Sequence, residues 1–246
     1  MNAMNAKRPL IIALVTLFLF GLAGGAFILW YRGGGLSQSN DPINRWFTDP
    51  ASRPSLTTIM NRVGCPEAPF ILPSDGLIGL LWNDPAAPYT LMNTHTGIDV
   101  FGHGEAGTVP VYAAYPGWLS RLPDWRSSVI IRHDDPLQPG RTIWTYYTHM
   151  ASQDGSQSYI DEAFPPGTVE QPVEQGVLLG YQGEFAGVGR PPIGLHLHFS
   201  IVLSDDEGSF RNEAVIGNTV DPSPYFGMRL NITDAPRRPI TCVIGE

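Results

Sequence analysis

Three short stretches carry side chains that could hold a metal ion and move protons around it. In Thr94-His95-Thr96-Gly97-Ile98-Asp99 the histidine and the aspartate stand four apart. On extended backbone, residues two apart share a face, so His95, Gly97 and Asp99 point the same way. Gly97 has no side chain, which leaves a gap that an ion bound by both neighbours could fill. In Leu195-His196-Leu197-His198-Phe199 two more histidines share a face while the apolar residues turn the other way. His149 ends the alternating run Thr145-Tyr146-Tyr147-Thr148-His149, where strand parity puts Tyr147 on its face as a candidate cleft residue. Taken singly, each stretch also suits an ordinary strand edge.

Together they fit a catalytic zinc site, which wants three protein ligands and an open fourth position. Two histidines and an aspartate supply the ligands, and two histidines are left for proton transfer and charge stabilisation. No H-E-x-x-H helix is present, which excludes that zinc arrangement. His103 and His133 have no partner motif and are assigned to structure. The glycine-rich residues 180–189 lack a following Lys-Ser/Thr and are not read as a phosphate loop.

Short strands must position these groups. Residues 109–114, 117–122, 128–133, 142–150, 177–181 and 195–203 are β-branched or aromatic runs separated by Pro, Gly and Asp, the pattern of antiparallel hairpins. Two connections, 151–172 and 182–194, are long and rich in Pro or Gly, and are expected to wall a cleft. Residues 33–64 read as a juxtamembrane linker, with a short helix expected over 56–63.

The compartment is read from the N-terminus. Residues 9–31 form an uncharged apolar run, long enough at about 1.5 Å per helical residue to cross a hydrocarbon core of roughly 30 Å. Lys7 and Arg8 before it, and Trp30 and Tyr31 at its end, orient it as a single-pass anchor with the rest of the chain outside the cytoplasm. The alternative is a cleaved signal peptide and secretion, and either reading exports the domain. Two cysteines, Cys65 and Cys242, are compatible there with one disulfide. Lys7, Arg8 and Arg32 are the basic residues before position 33, which leaves 12 basic against 23 acidic side chains beyond it. So acidic a domain would repel nucleic acid, which is set aside as a partner.

The motifs His95-Thr-Gly-Ile-Asp99, 107–117 (GTVPVYAAYPG), Tyr147-Thr-His149-Met150, Gly194-Leu-His196-Leu-His198-Phe199 and Val220-Asp-Pro222 occur in the order found in lysostaphin-type, or LytM-domain, zinc endopeptidases, and residues 71–226 resemble that family. The resemblance implies a mostly β fold: a compact antiparallel LytM-like domain (a duplicated hybrid motif) with long cleft loops. Its expected extent is 65–230, after the cytoplasmic stub and anchor (1–32) and the linker (33–64), and before a C-terminal tail (231–246). Carried over residue by residue, it implies His95, Asp99 and His198 as Zn2+ ligands and His149 and His196 as the unligated catalytic pair. The implied activity is cleavage of peptidoglycan cross-bridge or stem peptides by a zinc-activated water, in the cell envelope. Where the family usually has Gly-Pro before the H-x-H motif, this chain has Gly194-Leu195, and 151–172 is longer than in compact members; both bear on substrate choice. Two other functions fit the same motifs: a non-enzymatic regulator of a separate envelope hydrolase, and an exported peptidase acting on protein.

Overall fold

The computed structural model of the chain describes residues 16, 18–22, 24, 25, 27, 37–191 and 193–243. The apolar run at 9–31 lies largely outside them, and among the described residues no helix is long and apolar enough to cross a membrane.

Ten strands are described: β1 (Leu77–Ile78), β2 (Ile98–Phe101), β3 (Pro110–Tyr112), β4 (Gly117–Ser120), β5 (Val129–Asp134), β6 (Thr142–Thr148), β7 (Gln171–Val173), β8 (Leu178–Tyr181), β9 (Leu197–Leu203) and β10 (Thr219–Val220). The main antiparallel sheet runs β1-β2-β9-β6-β5-β4-β7, with β10 also on β9, while β3 and β8 pair separately. Alternation divides each strand of the main sheet between two faces. Ile98 and Val100 of β2, Val129 and Ile131 of β5, Ile143 and Tyr147 of β6, and Leu197, Phe199 and Ile201 of β9 enter one core with Val111 of β3 and Leu179 of β8. The intervening Asp99, Tyr146, Thr148 and His198 face the other way, and that outer face carries the site. Register then decides who meets whom: Asp99 lies opposite His198 across β2–β9, and Thr148 opposite His198 across β6–β9.

His133, on the inner side of β5, is fully buried. Its Nδ1–H donates to Pro116 O (2.7 Å) and its Nε2 meets the Thr145 hydroxyl (2.8 Å). Burial pushes this imidazole down to about 4. A folded-state value below the ordinary ~6.5 means stability fully present above pH ~6.5 and lost as pH falls towards 4, by up to roughly 3 kcal/mol. Acid-dependent unfolding of wild type and His133→Gln should therefore converge over that range. Parallel curves would contradict it.

The segment expected to be a linker is part of the folded body. Helix α1 (Asn40–Thr48) and the single turn α2 (Arg53–Leu56) bring Trp46 and Leu56 into a small core with Leu77 and Phe101. Helix does not continue over 56–63, because Thr57 is extended and Thr58 bridges Gly76. Ser37 and Ser39 donate their hydroxyls to the buried carboxylate of Asp84. Arg238, from the expected tail, donates to Ser39 Oγ (3.2 Å) and to the carbonyls of Ile78 and Gly79 (both 2.6 Å). Cys65 and Cys242 are joined by a disulfide, with Cα atoms 5.5 Å apart. Closing so long a loop is worth about 2–4 kcal/mol. Packing thus runs from residue 37 to 243, wider than the 65–230 expected from the motifs.

Candidate metal centre

His95 stands just before β2, Asp99 within it, and His198 beside Asp99 on β9. Their donor atoms converge: His95 Nε2 is 3.1 Å from Asp99 Oδ1 and 2.9 Å from His198 Nδ1, and His198 Nδ1 is 2.9 Å from Asp99 Oδ1. All three side chains are buried. The Leu81 carbonyl, 3.0 Å from His95 Nδ1, can only accept, so it fixes that ring's proton on Nδ1 and leaves Nε2 a lone pair. Asp99 Oδ1 adds more lone pairs to the same small triangle, and one proton on His198 cannot satisfy both neighbours. A cation can. With zinc bonds of about 2.0–2.1 Å to nitrogen or oxygen, the edge of a tetrahedral face is about 3.3 Å, close to the triangle seen here. The donor set, two imidazoles and a carboxylate, also suits that ion.

The electrostatics point the same way. Burial would lower the His95 imidazole, but the charge and hydrogen bond of Asp99 outweigh it and the net shift is upward. Burial would raise Asp99, yet His95 and His196 hold its carboxyl well below the ordinary range.

The other two histidines lie against this triangle without joining it. His149 and His196 have ring centroids 4.6 Å apart, and His196 Nε2 is 3.7 Å from Asp99 Oδ2. Each ring gives its Nδ1–H to a carbonyl, His149 to Phe185 O (2.8 Å) and His196 to Gly194 O (2.6 Å), which leaves both Nε2 atoms as acceptors. Burial lowers both imidazoles, His149 to about 3, with its histidine neighbours adding to the effect, so both are neutral at neutral pH. Phe101 stacks on His196 (4.9 Å) and meets Phe47 of α1 edge-on (5.5 Å), so the segment before the first strand buttresses this ring.

A cavity of about 470 Å³ opens over the outer face, lined by His149, His198, Tyr89, Tyr146, Thr148, Glu213 and the 185–188 stretch among others. Of the stretch 182–194, residues 185–188 do wall the cleft. Residues 151–172 do not: Ile160 and Phe164 sink into the core, and 171–173 form β7. That connection acts at one remove, since Arg121 donates to Phe164 O (2.9 Å), Ser158 Oγ (3.0 Å) and the carbonyl of cleft-lining Trp125 (3.0 Å).

Tyr147 is not in the cleft: it is fully buried and its hydroxyl accepts the Ala114 amide at 2.9 Å. Parity failed because β6 ends at Thr148 and His149 adopts a left-handed backbone (φ 73°), which brings its ring to the outer face with Tyr146. Gly97 does not make room for an ion either. A Cβ there would sit 2.1 Å from Phe199 O, so its absence lets β9 approach β2. Tyr89, whose ring lies 4.9 Å from that of His95, and Glu213 carry no signal in the sequence because neither sits in a periodic run.

No family model and no curated protein sequence matches the chain. Lysostaphin is among the solved structures it resembles. The likeness to lysostaphin from Staphylococcus simulans, an antimicrobial peptidase, has a TM-score of 0.36 at 22% identity over 56% of this chain and 45% of that one. A Ruminococcus gnavus protein assigned as a glycyl-glycine endopeptidase, LytM, gives 0.34 at 21% over 52% and 44%. A mutant catalytic domain of the prophage-encoded M23 protein EnpA from Enterococcus faecalis gives 0.30 at 20% over 62% and 93%. The chain spans less than half the length of the first two. At these scores the likeness carries no argument about chemistry, which rests on the donor atoms.

Proposed function

We propose that this chain is a zinc-dependent endopeptidase that cleaves peptide bonds of bacterial peptidoglycan, in a cross-bridge or a stem peptide, outside the cytoplasm and tethered by its N-terminal apolar segment. The observation that carries the reading is the convergence of His95 Nε2, Asp99 Oδ1 and His198 Nδ1 within 3.1 Å of one another, with two unligated neutral histidines beside them. The substrate class comes from the motif resemblance.

Bound there, a zinc ion would supply Lewis acidity and a nucleophile at neutral pH. The remaining work falls to the chain. His149 lines the cavity and its Nε2 is an acceptor, so it can take a proton from an attacking water and return it to the leaving amine. His196, held by Gly194 and stacked on Phe101, keeps a second Nε2 beside Asp99, where it can accept a proton and, once protonated, donate to the developing oxyanion. The cavity, at about 470 Å³, is of the size that admits a short peptide segment.

The test is mass spectrometry of peptidoglycan digested by the zinc-loaded full-length protein in detergent. New peptide amino termini are expected from wild type, with His149→Ala keeping its zinc and losing about 100-fold or more in rate. Full zinc content with no cleavage of any peptidoglycan type would replace the enzyme with a non-enzymatic regulator. Cleavage undiminished in His149→Ala would remove that histidine from the chemistry.

A further inference from the structure

Among the described residues, one buried atom on the side chains of the metal triangle is left without a partner. His198 turns Nδ1 towards His95 and Asp99, while its Nε2 is buried and makes no hydrogen bond among the described residues. An imidazole that gives Nδ1 to a metal carries its proton on Nε2, so a buried N–H must point away from the ion. His95 meets the same need with the Leu81 carbonyl. For His198 the group on that side is the carboxylate of Glu213, whose Oε2 lies 4.0 Å from Nε2.

We propose that Glu213 is the positioning residue for His198: with the ion in place its carboxylate closes on Nε2–H, fixing the tautomer and the ring orientation that the metal requires. The inference rests on the zinc reading above. Glu213 comes from residues 204–218, the loop joining β9 to β10, and its placement is built rather than incidental. The hydroxyl of Thr96, next to His95, donates to the same Oε2 at 3.4 Å. Asn212 braces the adjoining backbone, its Oδ1 accepting Ala214 N (3.0 Å) and its carbonyl accepting Asn218 Nδ2 (2.9 Å). The Glu213 side chain stays 26% exposed, so it can shift by the ångström or so needed without disturbing the core. Outer acceptors of this kind raise ligand basicity and hold the ring, and their loss typically weakens metal binding by about 10–100-fold.

Zinc affinity of the full-length protein, measured by competition with a chromogenic chelator, tests this with Glu213→Gln and Glu213→Ala. The amide oxygen of Gln can still accept the N–H but lacks the charge. Affinity is expected to fall about tenfold in Gln and towards a hundredfold in Ala, with the melting temperatures of the zinc-free proteins unchanged. Equal affinity in all three overturns this inference alone, and so does an equal loss in Gln and Ala accompanied by lower zinc-free melting, which would mark a structural role. Wild type that binds no zinc overturns the proposed function together with this inference.

Discussion

His198→Ala is expected to abolish zinc binding and peptide cleavage together while leaving the sheet folded. The substitution removes one of three donors and leaves the pair His95 and Asp99, which is too few for a stable site. The side chain lies on the outer face of β9, whereas Leu197 and Phe199 on either side hold the strand in the core. Metal analysis after dialysis should fall from about one zinc per chain to near none. Cleavage should fall by at least about 10³-fold, since a Lewis acid contributes several kcal/mol to the transition state and each ~1.4 kcal/mol is tenfold. Added zinc should raise the melting temperature of wild type but not of the variant, because a ligand stabilises only a fold that binds it. Retained zinc with lost cleavage would move His198 out of the ligand set.

The second large effect is expected at a residue with no side chain. Gly97→Ala would place a methyl group 2.1 Å from Phe199 O and 2.9 Å from the Ser200 Cβ, and the first of these is backbone that cannot rotate away. Relief requires moving β9 away from β2, which also carries His198 away from Asp99. Overpacking of this kind should cost at least about 2 kcal/mol in the zinc-free protein and weaken zinc binding as well. Gly217→Ala is the control, since a Cβ there meets nothing within 4 Å, and it should stay within about 0.5 kcal/mol of wild type. Denaturant titration of the two variants checks both values. Wild-type stability in Gly97→Ala would mean that β2 and β9 are not spaced as described.

Gly97 also marks the limit of what spacing encodes. Period-two alternation places β5, β6, β8 and β9 within a few residues, because their inner faces are mostly Ile, Val, Leu and aromatics, interrupted by His133 and Thr145, which satisfy each other. The same alternation put His95 near Asp99, and His196 and His198 on one face. The metal triangle was legible because its members lie in two short segments that pair directly. Parity misplaces Tyr147 because alternation breaks at the left-handed His149, and Tyr146 stands in the cleft instead. Spacing puts Gly97 on the right face, but its lack of a side chain serves strand contact, a three-dimensional constraint that spacing does not encode. Residues 37–64 look like a linker because their apolar positions are few, yet Trp46 and Phe47 are enough to dock α1 behind Phe101 and His196. Glu213 has no local pattern at all. It becomes visible only when the loop after β9 brings it to the orphaned nitrogen of His198.

Anomalous scattering at the zinc edge from crystals of the zinc-loaded protein tests the account most directly. The account predicts one peak within about 2.0–2.2 Å of His95 Nε2, an oxygen of Asp99 and His198 Nδ1, with His149 and His196 outside bonding distance. A peak bound elsewhere, or none at these three residues with zinc in excess, would contradict it.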